Sequence, residues 1–410
     1  MLGNVLHSPS HSGGRPDGRP FKRSRKRSSV LTKYAKQSLA GFLAFVVAAA
    51  VLAQIIPSPT IPSNIVFVGP KNDYYQAHKD EYTALFFGSS RVYNQILPDA
   101  FDDIAWQATG QTPHSSGSIT SGSINSYNFG VPAMRAIDSA VLLEDVLANP
   151  PKNLKWVFFE SILDKGYEPI PNARTYRAIY WHNWENTAIA AQYIFNSDES
   201  LPKKLVLFGS HLLPFLYHHI NVGRLFNQVL PSEFSEEERT VAAEFTAQEG
   251  FYPLREQSDP KRQAFLQNPA GYEDAVATLT AAQAQFETAV ETEDAYLSTN
   301  KQLLLERITQ TIRAAGAEPI FIEPPSLHPE NDFQAAQKLG IIDNLLSYKD
   351  PQRFPQLYAP QNRHDADHLN ETGSREFTAL LAHDFAQDFA QGFASNTSPE
   401  IAPSDSEANR

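Results

Sequence analysis

Eighteen consecutive residues, Leu39 to Ile56 (LAGFLAFVVAAAVLAQII), carry a single polar side chain, Gln54. Coiled as a helix at about 1.5 Å per residue, the run extends about 27 Å, close to the hydrocarbon thickness of a bilayer. Within residues 1–37, nine Lys and Arg stand against one acid, Asp17, a net +8 immediately before the run. Pro57 and Pro59 stop it on the other side. Cations gathered on one flank hold that flank in the cytoplasm. The pattern predicts a basic cytoplasmic tail over residues 1–37 and a transmembrane helix over 38–57. The rest of the chain is then exported, periplasmic or extracellular, and tethered as a single-pass protein of the inner (cytoplasmic) membrane. A buried core helix is one other reading of the run. A cleaved signal peptide is another, because Val51-Leu52-Ala53 resembles a small-residue cleavage site. The long basic stretch and the unbroken apolar run favour an anchor, and a cleaved signal would export the body as well.

Charge divides the chain in the same place. The whole carries −12, so with +8 in the first 37 residues the remainder carries −20. A body that acidic repels nucleic acid, and no nucleic-acid partner is expected. The basic stretch RKRSSVLTKY adjoins the apolar run and reads as a topology signal. There is no cysteine, which excludes disulfides, thiol catalysis and cysteine metal sites. The last residues, 394–410, are polar and poor in apolar side chains, as in a disordered tail.

Within the body, residues 58–82 read as a stalk. Ala84-Leu85-Phe86-Phe87 is an apolar run ended by Gly88-Ser89-Ser90, the mark of a buried strand. The Ser/Gly-rich stretch from His114 to Ser126 reads as a loop before a short strand at Tyr127–Phe129. Ala133–Leu147 has helical periodicity, and Lys155–Phe159 is a third strand. A helix over Lys301–Ala315 leads into a strand at Pro319–Ile322, and Glu371–Phe389 reads as a last amphipathic helix. Short buried strands alternating with helices predict an α/β fold: a three-layer α/β/α, doubly wound parallel sheet. Its core falls over residues 83–164 and 300–393. Residues 165–299 break the rhythm, first rich in aromatics and then in Ala, Glu and Gln. They read as a helical insertion lying as a lid over the carboxyl edge of the sheet, with Tyr176, Tyr180, Trp181 and Trp184 near Ser90.

Two segments carry chemistry. Gly88-Ser89-Ser90-Arg91 follows a buried strand directly, so a serine hydroxyl is presented at the carboxyl edge of the sheet. Its plain alternative is a strand-to-helix turn with serine as N-cap. Asp365-Ala366-Asp367-His368-Leu369-Asn370 precedes the last helix. A serine needs a base, and the base needs a partner to fix its tautomer. Asp365, three residues before His368, can supply that partner within one loop. Asp365, Asp367 and His368, with His364, also make a metal reading, although no H-x-x-x-H helix motif accompanies them. His182 and His218-His219 read as packing and surface histidines. His328, after a strand end, either faces the same edge as Ser90 or belongs to a plain loop. Arg91 either holds a substrate carboxylate or forms an ion pair.

Taken in order, strand–GSS–R, Asn128-Phe129-Gly130 and D-x-x-H-L-N resemble the SGNH (GDSL-like) hydrolase superfamily. They match the membrane-anchored branch with G-S-S-R in its first block, near proteins of exopolysaccharide O-acetylation and D-alanylation. The resemblance implies a flavodoxin-like fold of SGNH type. It assigns Ser90 as nucleophile, with Ser89 as runner-up, His368 as base and Asp365 as its orienting acid. The backbone N–H groups of Ser90 and Gly130 would form the oxyanion hole, and Arg91, Trp181 and His328 are candidate substrate contacts. It implies a serine esterase or O-acyltransferase acting on acyl, notably acetyl, esters of a cell-surface polysaccharide, with no metal or organic cofactor. An acylated glycan, the membrane and a membrane acyl-transfer protein are the implied partners. The third block departs from the pattern: where the superfamily has G-x-N-D, this chain has Phe159-Glu160-Ser161-Ile162-Leu163-Asp164. Losing one oxyanion donor costs about 2.7–4 kcal/mol. That departure supports a rival reading, a non-catalytic scaffold or glycan-binding protein of an envelope assembly system.

Overall fold

The computed structural model describes residues 25–55, 61, 63, 65–108, 124–163, 175–220, 234–255, 259–291 and 296–390. The expected tail at 394–410, most of the Ser/Gly-rich loop and the start of the insertion lie outside them.

The chain divides into two compact units, Met1–Leu52 and Ala53–Arg410. In the first, a helix runs from Arg25 to Ile55. Its Lys33–Leu52 segment is long and apolar enough to cross a membrane by length and composition, and among the described residues it is the one such helix. The second unit is built on five parallel strands: β1 (Ala84–Phe87), β2 (Ser126–Asn128), β3 (Trp156–Phe159), β4 (Glu318–Glu323) and β5 (Leu345–Ser347). They lie in the order β2-β1-β3-β4-β5. The strands are apolar without alternation because both faces are covered. Phe87, Val157, Phe159 and Phe321 face one core with the helices Ala136–Leu147 and Thr299–Ala314. Phe86, Phe158, Ile320 and Ile322 face the other with Pro98–Ala108 and Glu371–Phe385. The expected three layers are therefore present. β5 was not expected; it has only three residues.

From β1 the chain moves to β2 on one side and then to β3 on the other. The carboxyl ends of β1 and β3 thus form the switch point at which open α/β sheets place their ligands. Gly88 sits there. A Cβ on it would lie 2.5 Å from Val92 Cγ2 and 2.6 Å from Glu160 Oε2, so a glycine is needed for that carboxylate to pass over the turn.

The expected stalk is not one beyond Ile65. Ile61 and Ile65 are already in the core, and a helix spans Gly69–His78 with Lys71 and Tyr75 fully buried. Lys71 Nζ donates to the carbonyls of Asn128, Gly130 and Gly250 (2.8, 2.8 and 2.5 Å) and lies 4.6 Å from the centre of the Tyr93 ring. Burial pushes its ammonium well below the usual lysine value. One buried ammonium spends all three donors to close the joint between segments far apart in sequence.

The insertion is helical, as predicted, from Tyr176–Trp181 through Pro269–Glu291. Its aromatic part does not cover the carboxyl edge. Trp181 is 2% exposed against Ile137, Val141 and Ala190, and the Tyr180 hydroxyl bonds to Asp145. These rings pack on the helix that covers one face of the sheet. The insertion reaches the edge through Phe245–Tyr252 instead. Tyr252 stacks on Tyr93, and its N–H donates to the Tyr93 carbonyl at 3.0 Å.

Candidate active site

The helix Ser90–Gln95 starts straight after β1, capped by Ser89, whose hydroxyl accepts the Arg91 N–H at 3.3 Å. The next residue, Ser90, is half-buried and directs its Oγ at His368 Nε2, 2.8 Å away. On the other side of the ring, His368 Nδ1 lies 2.9 and 3.1 Å from Asp365 Oδ1 and Oδ2. The N–H groups of Asp367 and His368 also donate to Asp365 Oδ1, each at 2.8 Å. The D-x-x-H spacing thus folds into a tight turn around the carboxylate. Burial pushes the Asp365 carboxyl up, but the hydrogen bond and charge of His368 and the two backbone donors outweigh it. They hold the group down at about 2. An ionised Asp365 makes Nδ1 the protonated nitrogen and leaves Nε2 as an acceptor for the serine proton.

This loop is held to the turn at Ser90 by groups without a sequence signature. Arg363, fully buried, donates from its guanidinium to the carbonyls of Pro325 (3.1 Å), Asp365 (3.4 Å) and Ala366. The His364 N–H closes the turn on the His368 carbonyl at 2.8 Å. On the last helix, Ser374 and Thr378 donate to the carbonyls of Asn94 and Gln95 (2.9 and 3.0 Å). The helix that begins with Ser90 is thereby stitched to the helix that follows His368.

The two adjacent serines have different surroundings. Ser89 donates both its N–H and its hydroxyl to Glu160 Oε2, each at 2.8 Å. Glu160 is 1% exposed, and its other oxygen takes Arg91 Nη2 at 2.5 Å. Arg91 is therefore committed to an ion pair. The residue that follows β3 is thus a buried carboxylate, which organises the turn.

The oxyanion hole differs from expectation. The Ser90 N–H, first in its helix, is without a partner among the described residues and remains a donor. The Gly130 N–H already donates to Asn128 Oδ1 at 2.8 Å. Gly130 is there for another reason: a Cβ would lie 2.3 Å from the Tyr93 nitrogen, so only glycine lets β2's exit pass this close to the helix Ser90–Gln95. Trp181, an expected substrate contact, is buried in the insertion away from the site. His328 is 41% exposed at its side chain, with Nε2 3.7 Å from Asp367 Oδ1. The residues of the metal reading face separate partners: Asp365 faces His368, Asp367 faces His328, and His364 faces Asp259 at 3.5 Å.

An open cleft of about 370 Å³ (its mouth into solvent included) is lined by Arg91, the neighbour of Ser90 in sequence, and by Glu160, Ser161, Glu323, His328 and Lys349. Burial raises the Glu323 carboxyl and lowers the Lys349 ammonium. The lining mixes these charged and hydroxyl groups with the apolar side chains of Ile162, Leu163, Ile322 and Phe333, as small-molecule sites do.

No protein-family model, curated protein or solved structure matches the chain.

Proposed function

We propose that this chain is a membrane-anchored serine esterase or O-acyltransferase of SGNH type. It would act outside the cytoplasm on ester-linked acyl groups, foremost the acetyl groups of a cell-surface polysaccharide. The observation that carries the reading is the Ser90–His368–Asp365 relay at the carboxyl edge of the sheet, with contacts of 2.8 and 2.9 Å. Ser90 Oγ attacks the acyl carbon while His368 Nε2 takes the hydroxyl proton, and a tetrahedral oxyanion forms against the Ser90 N–H. Collapse returns the proton to the leaving alcohol and leaves an acyl-serine. Water or an acceptor hydroxyl, deprotonated by His368, then releases the acyl group and restores Ser90. The cleft lined by Arg91 and His328, with charged and apolar groups together, is the place for the sugar.

The test is the purified full-length protein with p-nitrophenyl acetate and a serine-directed fluorophosphonate. Turnover and labelling that both disappear in Ser90→Ala are expected; turnover unchanged in Ser90→Ala would end the assignment. A second reading, a glycan-binding scaffold that has lost catalysis, is favoured by one observation: the Gly130 N–H is taken by Asn128. Acetylated oligosaccharide that binds the wild type without any turnover or labelling would establish that reading instead.

A further inference from the structure

The helix Leu201–Ile220 has a solvent face of an unusual kind. From Leu205 to Tyr217 it contains no charged Lys, Arg, Asp or Glu. Val206 is 72% exposed, and Leu205, Leu213, Leu216 and Tyr217 lie open around it, with Trp184 of the preceding helix 71% exposed. Among the other described residues of the body, exposed large apolar side chains such as Leu266, Tyr296 and Leu339 are scattered. A contiguous apolar face on a soluble surface marks an interaction site.

The opposite face is fixed to the body. Leu207, His211 and Pro214 are buried, and His182 Nε2 meets His211 Nδ1 at 3.1 Å. A helix tied down on one side and interrupted by Pro214 does not cross a bilayer. It has the form of a helix lying in the interface, apolar side down.

What it faces follows from the chain itself. The apolar run ends at Ile56, and Ile61 and Ile65 are already in the core. Eight residues separate the run from Ile65, a reach of roughly 30 Å when fully extended. That is less than the width of a domain this size, so a body so tethered has one face at the headgroups. We infer that this face is the exposed side of Leu201–Ile220 with Trp184, and that its ligand is the lipid surface of the anchoring membrane. The inference rests on the membrane anchoring proposed above.

The chain has no cysteine, so single cysteines report cleanly. The full-length protein, reconstituted in phosphatidylglycerol/phosphatidylcholine vesicles, is labelled with an environment-sensitive fluorophore at Val206→Cys, Leu213→Cys, Leu43→Cys or Ala277→Cys. Nitroxide-labelled lipid should quench the probes at 206 and 213 at least twofold, as at 43, and leave 277 bright. Circular dichroism confirms that each variant is folded, which the exposure of these side chains predicts. Quenching at 43 without quenching at 206 and 213 overturns the inference and leaves the anchor standing. No quenching at 43 removes the anchor and the inference together. Probes at 206 and 213 shielded from aqueous iodide yet not quenched by lipid would mean that a protein covers the face, and would also overturn it.

Discussion

Two carboxylates, Glu160 and Asp365, stand on opposite sides of the same pair of serines, and their difference separates architecture from chemistry. Glu160 is sealed: one oxygen takes the N–H and hydroxyl of Ser89 and the other takes Arg91. Every one of its partners belongs to the turn it organises. Asp365 is partly open, with its side chain 18% exposed, and it acts through His368, whose far nitrogen reaches Ser90. A carboxylate whose donors are all fixed in place cannot respond to a reacting group. One that grips a single imidazole can stabilise the charge which that imidazole gains when it takes a proton. Adjacent serines thus have opposite surroundings: Ser89 is tied into the turn, and Ser90 faces the imidazole on which the proposed reaction depends.

The largest effect should come from breaking the open side. Ser90→Ala and His368→Ala are each expected to reduce kcat/KM by about 10⁴-fold or more, and the double variant to be hardly worse than either. A base without its nucleophile, or a nucleophile without its base, contributes nothing further. Double-variant losses equal to the product of the single ones would show that the two residues act separately.

Breaking the sealed side should instead be felt in the fold. Glu160→Gln leaves the Arg91 guanidinium buried beside a neutral group, and removing one partner of a buried pair costs about 3–5 kcal/mol. Chemical denaturation is the measurement. A change below about 1 kcal/mol would mean that solvent reaches Arg91, and the contrast between the two carboxylates would fail.

How much of this was legible in the sequence follows the same division. β1 was readable because four buried apolar residues end at Gly88, and Asp365 with His368 because three residues of spacing bring them into one turn. Glu160 was not. A lone acid after a strand acquires its role only when the sheet sets β3 beside β1, and no local pattern encodes that. Arg363 and Lys71 were hidden for the same reason, since their acceptors are backbone carbonyls contributed by other segments. Trp181 misled in the opposite direction. Aromatics clustered over Tyr176–Trp184 suggested a lid near Ser90, but Trp181 is core to the insertion while Trp184 lies exposed, and only tertiary contact tells them apart. The resemblance made Gly130 an oxyanion donor, yet its backbone closeness to Tyr93 explains the glycine.

A smaller effect should appear with pH. The Asp365 carboxyl lies at about 2 in the folded chain, below its ordinary 3.8. Its contribution to stability is therefore complete above the ordinary value and is lost as the pH falls from about 4 towards 2. With solvent screening of a partly exposed group, about 1–2 kcal/mol is at stake. Urea denaturation at pH 5, 4 and 3 should show the wild type losing stability more steeply than Asp365→Asn. Parallel slopes would mean that the His368 contact does not hold the carboxylate in solution.

The smallest effect on catalysis is expected where the sequence offered the closest rival. Ser89→Ala removes the hydroxyl that donates to Glu160 and caps the nucleophile helix through the Arg91 N–H. It leaves the Ser89 N–H on the carboxylate, because that bond belongs to the backbone. Loss of a serine cap costs about 0.5–2 kcal/mol, so the melting temperature should fall. The Ser90–His368 contact depends on the last helix and on Arg363 rather than on this hydroxyl, so kcat/KM should stay within about tenfold of the wild type. Fluorophosphonate labelling followed by peptide mapping then places the adduct on Ser90 in both proteins. If Ser89→Ala were inactive but stable, and Ser90→Ala retained turnover, the reacting and structural serines would have to exchange places, and Glu160 rather than Asp365 would be the carboxylate at the chemistry.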